Sequence, residues 1–264
     1  MKLRRILIIA FVGLVAVLLY RNVGTSAAPA KPAGNAACNS STFEDKAFTA
    51  CLAVPGKHRI AMKVTGSDKV IYRGFPLLAK DLDARTVAFA INGGMYDTGS
   101  RPIGYYVENG ERLHKLNTAN AEGNFYLKPN GVFFGDADGN WRILTSEDFA
   151  ETVTKRPNFG TQSGPMLLIG GKLHPKLAEN GNSLKLRNAV CVDGAGAAHF
   201  AISDEPVSFG QIARFMKQAC GDANALFLDG TVSALWHPAG GRMDVRYPLG
   251  PLIVVTNVPK EPAK

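Results

Sequence analysis

The segment Thr86–Asp97, TVAFAINGGMYD, constrains the fold more than any other stretch of the chain. Thr86 to Ile91 are β-branched, small or aromatic and carry no charge, so they read as a buried strand. The strand runs straight into Asn92-Gly93-Gly94. Two glycines at the end of an apolar strand let the backbone turn sharply and approach a ligand with its N–H groups free, and Asn92 adds a side-chain amide at the same point. A Gly-Gly pair on its own is equally an ordinary hairpin turn. The 28 glycines and 15 prolines predict many turns and hence a β-rich chain.

The first residues, MKLRRILIIAFVGLVAVLLYRN, pair a basic stretch (Lys2, Arg4, Arg5) with an apolar run from Ile6 to Tyr20. This is the pattern of an export signal. Fifteen helical residues span about 22 Å, short of the ~30 Å hydrocarbon core of a bilayer. A cleaved signal over 1–24 is therefore favoured, with an uncleaved membrane tether through residues 6–20 as the alternative. Residues 25–37 are Ala/Pro/Gly-rich and read as a flexible linker. Removing the first 30 residues takes away Lys2, Arg4, Arg5 and Arg21 and no acid, which lowers the net charge from +8 to +4. So mild a charge argues against nucleic acid as a partner. The expected location is periplasmic or otherwise extracytoplasmic. In that setting four cysteines predict disulfides. Three pairings are open, and the expectation is Cys38–Cys51 as a local staple and Cys191–Cys220 joining a strand to a helix end. No cysteine or histidine spacing fits zinc, and the run Asp136 to Asn140 lacks the ligands of a calcium loop. No metal and no cofactor is predicted.

Strands are expected at Phe48–Leu52, His58–Val64, Val70–Tyr72, Ile103–Glu108, Glu111–Leu116, Phe125–Lys128, Gly131–Phe134, Trp141–Leu144, Met166–Ile169, Lys172–His174, Leu184–Asp193, Ala197–Ser203 and Leu226–Leu228. Asn109-Gly110 is the strongest hairpin signal among the turns. Helices are expected at Leu77–Leu82, at Glu147–Thr154 with Thr145 or Ser146 as N-cap, and at Ser208–Ala219. In the last, Ser208 and Gln211 fit a capping box, and Ile212, Phe215, Met216 and Ala219 make one apolar face. The predicted class is α+β: β-rich mixed sheets with a few flanking helices, in one domain over 38–258, followed by a short tail, 259–264.

Three places share a design in which polar groups and a glycine sit at the edge of an apolar strand. These are Asn92-Gly93-Gly94, the run Thr161-Gln162-Ser163-Gly164-Pro165 ahead of Met166–Ile169, and Asp229-Gly230-Thr231-Val232-Ser233 after Leu226–Leu228. If the three strands are neighbours in one sheet, their loops converge on one pocket, where backbone N–H groups can face an oxyanion. Five motifs occur in order: INGGMY, GNFYLKPNGVFF, QSGPML, LRNAV and FLDGTVS. With them the chain, from about Cys38 to Val255, resembles the phosphodiester glycosidase family. It departs from the family where Asp229-Gly230-Thr231 replaces a frequent Asp-Gly-Gly, so the turn must suit a β-branched residue.

The resemblance implies cleavage of a sugar C1–O bond to phosphate. Ordinary glycosidases need a second carboxyl to protonate a poor leaving group. A phosphate monoester leaves as a stable anion, with a second pKa near 6, so a general acid is less necessary. The site then needs a carboxylate to act on the anomeric carbon or its water, and donors to hold phosphate. Asp229 is the candidate carboxylate and Arg187 the candidate phosphate clamp, since guanidinium binds phosphate bidentately. Asn92, Gly93, Gly94, Gln162, Ser163, Gly164, Gly230, Thr231 and Ser233 would contribute neutral contacts. Against this stand blander roles: a turn-forming aspartate for Asp229 and a solvated strand residue for Arg187. Glu122 reads as a solvated loop carboxylate or a second acid, and Trp236 as a core residue or a sugar platform. His58, His114, His174, His199 and His237 show no ligand spacing. The implied protein is an exported hydrolase of a glycosyl phosphodiester in an envelope or glycan. Its rivals are a non-catalytic envelope protein that binds phosphorylated glycans and a phosphodiesterase that cleaves the P–O bond.

Overall fold

The computed structural model describes residues 37–259. The expected export signal or anchor, nearly all of the linker and the end of the tail lie outside the described residues. In chain order the elements are β1 (Cys38–Phe43), β2 (Lys46–Ala53), β3 (His58–Lys63), α1 (Phe75–Asp81), β4 (Val87–Asn92), β5 (Tyr106–Glu108) and β6 (Glu111–His114). Next come β7 (Gly131–Asp136), β8 (Gly139–Thr145), α2 (Ser146–Thr152), β9 (Phe159–Ser163), β10 (Met166–Ile169), β11 (Lys172–Leu173) and β12 (Asn188–Val192). The chain ends with β13 (Ala198–Ser203), α3 (Phe209–Cys220), β14 (Ala225–Asp229), β15 (Leu235–His237), β16 (Arg242–Met243) and β17 (Leu252–Asn257).

These strands form three sheets. The first, of seven strands, runs β1-β2-β13-β12-β14-β10-β11. The second, of five, runs β16-β15-β4-β17-β3, and the third, also of five, runs β6-β5-β9-β7-β8. The β-rich α+β expectation holds in outline. Every ladder within the sheets is antiparallel, which corrects the expected mixed pairing. The reason is the many tight turns: a short connection reverses the chain, and parallel neighbours need a long crossover.

The three sheets share one core. Phe89 of the second sheet packs edge-on to Phe200 of the first, with ring centroids 5.3 Å apart. Phe200 meets Phe133 of the third sheet at 5.8 Å, and Phe133 meets Phe159 at 5.3 Å. Each sheet then turns its other face to one helix. Helix α3 lays Ile212, Phe215 and Met216 on Ala189 and Phe227 of the first sheet. Helix α1 sets Phe75 and Leu78 against Trp236 and Val254 of the second, and α2 sets Phe149 against Tyr105 and Phe134 of the third. Ile212 and Met216 are both 0% exposed, and burial of such side chains contributes about 1.5–3 kcal/mol each. Strand β4 is buried at every residue because both its faces are covered, as its uncharged sequence requires.

The caps follow the sequence closely. Thr145 Oγ1 accepts from the Asp148 N–H at 3.1 Å, and Ser208 Oγ accepts from the Gln211 N–H at 3.1 Å. The Gln211 amide reaches Glu44 O instead of folding back on Ser208, so only half of the capping box forms. The expected disulfides are present: Cys38 faces Cys51 across the β1–β2 ladder, and Cys191 of β12 joins Cys220 at the end of α3. Asn109 and Gly110 take φ of 50° and 76° in the β5–β6 hairpin, the left-handed turn that Asn-Gly favours.

Three expected strand features change. Val70–Tyr72 is not a strand and makes only an isolated bridge, because Lys69 and Arg73 on either side have positive φ (63° and 51°). Phe125–Lys128 is replaced by a 3-10 turn at Asn124–Tyr126, where the Phe125 carbonyl accepts from Asn130 Nδ2 at 2.7 Å instead of joining a ladder. Strand β12 begins at Asn188, and Leu184–Arg187 stays outside it apart from one bridge of Lys185 to Val207. A turn at Pro55-Gly56 links β2 to β3, which lie in two different sheets.

Candidate functional site

The three glycine-bearing loops do not come from neighbouring strands of one sheet. Strand β4 is in the second sheet, β9 in the third, and β10 and β14 in the first. They meet by their ends, and the residue that joins two of them is Asn188, which is 0% exposed. Its Nδ2 donates to Asn92 O at 3.0 Å and to Asn92 Oδ1 at 2.9 Å. Its Oδ1 accepts from the Asp229 N–H at 2.9 Å and from Ser233 Oγ at 3.2 Å. One side chain therefore fixes Asn92 of the second sheet against Asp229 of the first. Nothing in the sequence pattern alone assigns Asn188 a role. Its signal is an amide placed at the entry of the apolar strand Ala189–Val192, where a buried polar group needs partners.

Asn92 Oδ1 also accepts from the Ala234 N–H at 2.9 Å. With Oδ1 committed twice, Nδ2 is turned to the Asp229 carboxyl, where it favours the charged form without closing a well-formed hydrogen bond. Asp229 itself is partly buried. Loss of solvent around its carboxyl pushes the pKa up to about 7, against smaller opposing effects of the Gly230 N–H and Asn92. No cation contributes. The Asp229 charge in turn helps to raise the Tyr96 hydroxyl above its usual range, and that hydroxyl donates to Pro248 O at 2.7 Å. Beyond Asp229, Thr231 takes φ of 37°, and the Val232 N–H closes on Gly230 O in a tight turn. A β-branched residue in that region is strained. The turn thus keeps the backbone form that glycine would adopt freely.

Arg187 is 1% exposed, which rules out the solvated strand role. Nε donates to Val207 O at 2.9 Å and Nη2 to Ser183 O at 2.8 Å. The guanidinium lies 3.6 Å from the ring centre of Phe209 and 5.4 Å from that of Phe227. It has no carboxylate partner among the described residues, and desolvation lowers its pKa to about 10, so it stays charged at neutral pH. Nη1 has no hydrogen-bond partner among the described residues. It faces Gly230: a Cβ added there would lie 3.7 Å away.

The remaining candidates are placed differently from what their sequence suggests. The Gly93 N–H donates to Pro251 O at 2.7 Å and the Gly94 N–H to Thr161 Oγ1 at 3.1 Å, so neither amide is free for an oxyanion. Their glycines serve close packing. A Cβ on Gly94 would overlap the Gln162 carbonyl oxygen and lie 2.6 Å from Thr161 Oγ1. Gly94→Ala is accordingly expected to lower stability by about 1–3 kcal/mol in urea unfolding; an unchanged midpoint would show that the loop can move aside. Gln162 is engaged throughout: Oε1 accepts the Tyr105 and Asn117 N–H groups, both at 2.9 Å, and Nε2 donates to Asn117 O and Ser146 Oγ. Ser163 Oγ donates to Leu228 O at 2.8 Å, tying β9 to β14. Gly164 packs on Asn130. Ser233 Oγ, besides meeting Asn188, lies 3.0 Å from Asp229 O. Gln162, Ser163, Gly164, Gly93 and Gly94 thus form the frame, Gly230 is held in the turn by Val232, and Asp229, Asn92 and Arg187 supply the groups without a full set of partners. Glu122 is exposed, and Trp236 belongs to the core beside Phe75. No cluster of three or more His, Cys, Asp or Glu among the described residues has the geometry to hold a metal.

Comparison with known proteins bears on this arrangement. YigE of Escherichia coli strain K12, a protein described as uncharacterized, is 33% identical over 226 residues, which cover 84% of this chain and 86% of YigE. The catalytic domain of zebrafish N-acetylglucosamine-1-phosphodiester alpha-N-acetylglucosaminidase, solved in a form auto-inhibited by its pro-peptide, superimposes with a TM-score of 0.55 at 16% identity. That match covers 83% of this chain and 81% of the zebrafish chain and is a likeness of fold. A family model described as phosphodiester glycosidase matches residues 85–257, a span that holds Asn92, Arg187, Asn188 and Asp229. The chain belongs to the phosphodiester glycosidase family.

Proposed function

We propose that this protein is an exported hydrolase that cleaves the sugar C1–O bond of a glycosyl phosphodiester in an envelope polymer or glycan. The observation that carries the reading is a pair of groups of opposite charge, each without a partner of opposite sign, at one end of the first sheet. Arg187 is a buried cation without an acid, and Asp229 a desolvated carboxyl without a base. Neither neutralises the other. A buried unpaired charge is costly, and a ligand that brings its own phosphate offsets that cost at Arg187. Family membership and the zebrafish enzyme's named activity support the substrate class, and the two disulfides support an oxidising compartment outside the cytoplasm. Among the described residues no helix is long and apolar enough to cross a membrane.

In this reading Arg187 holds the phosphate through Nη1, its other nitrogens being fixed by Val207 O and Ser183 O. Asp229, as carboxylate, acts on the anomeric carbon or on the water that attacks it. The C1–O bond breaks, the bonding pair leaves on the phosphate monoester, water's hydroxyl ends on the sugar, and water's other proton passes to the Asp229 carboxylate and then to solvent. The leaving group needs no proton at neutral pH, which fits a site with one carboxyl. Because Asp229 works ionised, kcat/KM is expected to rise with pH through about 7 and level above it.

The test uses an α-glycosyl phosphodiester such as UDP-N-acetylglucosamine in 18O water. Free sugar carrying the label, released by the parent and lost in Asp229→Asn, is the expected result. Label in phosphate would assign the P–O bond and a phosphodiesterase. Binding without turnover across several sugars would assign a phosphoglycan-binding protein.

A further inference from the structure

The third sheet carries a row of cations on the face that packs against α2. Across that face the ladders align Arg112 of β6 with Val107, Val107 with Gly160, Gly160 with Phe134, and Phe134 with Arg142 of β8. Four interstrand spacings separate the two arginines, a span of about 19 Å. The Arg142 guanidinium carbon lies 5.7 Å from the centre of the Phe134 ring, which keeps the side chain on this face. Arg156, from the loop between α2 and β9, stands between the two ends. With Arg142, Lys155 and Asp136 it lines a cavity of about 260 Å³. With Arg112 it partly opposes the rise that burial imposes on the Tyr105 hydroxyl, so both guanidinium groups stand near that ring.

Arg112, Arg142, Lys155 and Arg156 are all exposed, and none forms an ion pair or hydrogen bond among the described residues. The α2 acids Glu147 and Asp148 sit in its first turn, while Lys155 and Arg156 follow its far end. Cations there offset the helix dipole, but that role leaves the cavity with three cations against the single acid Asp136. Beside Arg112, Leu113 bulges out of β6 without a partner on β5 and is 49% exposed. A bulge re-aims a side chain. An apolar side chain flanked by Arg112 and Lys115 suits a surface that meets both headgroups and acyl chains. A soluble polyanion would use the cations alone. Ala37, the first described residue, lies at this end too. Its carbonyl accepts from the Leu52 N–H at 2.8 Å, and just after β2 Pro55 meets the β7–β8 turn, where a Cβ on Gly139 would lie 3.4 Å from it. We infer that this end of the third sheet docks on an anionic lipid surface, with the four cations over headgroup phosphates and Leu113 at the acyl boundary.

Asn35–Lys264 is a compact unit of its own, so that fragment, free of the apolar run Ile6–Tyr20, is the protein to test. It is expected to sediment with vesicles that mix phosphatidylglycerol with phosphatidylcholine, to ignore phosphatidylcholine alone, and to be released by salt. Each cation near an anionic surface is worth about fivefold in partitioning, so Arg142→Gln together with Arg156→Gln should weaken vesicle binding about 25-fold. Leu113→Gln should weaken vesicle binding about fivefold and leave any binding of soluble polyphosphate unchanged. These are exposed positions, and both variants should keep the parent's urea midpoint. Binding to neither vesicle, equal binding to both, or undiminished binding by the double variant overturns the lipid surface. So does a Leu113→Gln protein that binds vesicles like the parent, or a parent that prefers polyphosphate to anionic vesicles, and either result assigns the cations to a soluble polyanion.

Discussion

At pH 8 the Asp229→Asn protein is expected to be more stable than the parent by about 4 kcal/mol, and at pH 4 the two should unfold almost together. The sign follows from proton linkage. An unfolded aspartate titrates near 3.8, whereas the folded Asp229 titrates near 7. Between those values the native state keeps a proton that the unfolded state releases, so stability falls as pH rises from about 4 to about 7 and is level outside that window. The folded carboxyl holds its proton roughly a thousandfold more tightly than the unfolded one, and each factor of ten is worth about 1.4 kcal/mol, which gives the magnitude. A domain is typically stable by only about 5–15 kcal/mol, so this single carboxyl is a large fraction of the total. Asparagine has nearly the same shape and no charge to desolvate. Urea unfolding of both proteins at pH 4, 6 and 8 measures the effect, and a difference that does not change with pH would show that the carboxyl is not desolvated. The same substitution is expected to abolish sugar release, so stability gained and activity lost would come from one group.

Arg187→Ala is expected to act in the opposite direction on stability, lowering it by about 3 kcal/mol, and to raise KM for a phosphodiester at least tenfold. Truncation removes the guanidinium's hydrogen bonds to the Val207 and Ser183 carbonyls, and a hydrogen bond to a charged group is worth about 1.5–3 kcal/mol. It also removes the cation from between Phe209 and Phe227. Arg187→Lys separates the two roles. It keeps a positive charge but cannot hold two carbonyls and a phosphate in one planar fork, so KM should stay high while part of the stability returns. Parent-like KM in both variants would remove Arg187 from phosphate binding.

Much of the fold is legible in the sequence because its signals are local. Asn109-Gly110, Ser208 as a cap, and the apolar face of α3 each depend on a few adjacent residues, and all three stand where the sequence puts them. What is not legible depends on distant partners. Strand β17 is not among the strands expected from the sequence, and its place between β3 and β4 is set by ladders to residues some 160 and 190 positions earlier. The candidate site shows the same division. Asp229 and Arg187 stand out as charges beside apolar strands. Whether the Gly93 and Gly94 amides are free depends on Pro251 and Thr161, which no local pattern announces. Asn188 is hidden for the same reason: its partners, Asn92 and Ser233, lie far from it in sequence.

The position of β17 also orders events in time. Strand β4 lies between β15 and β17, and Gly93 rests on the carbonyl of Pro251. The last strand to be synthesised among the described residues is therefore an interior member of the second sheet. A nascent chain lacks the strand beside which Asn92 is set until Leu252–Asn257 have emerged. Whatever chemistry the site performs, it is withheld from a polypeptide that stops short of β17.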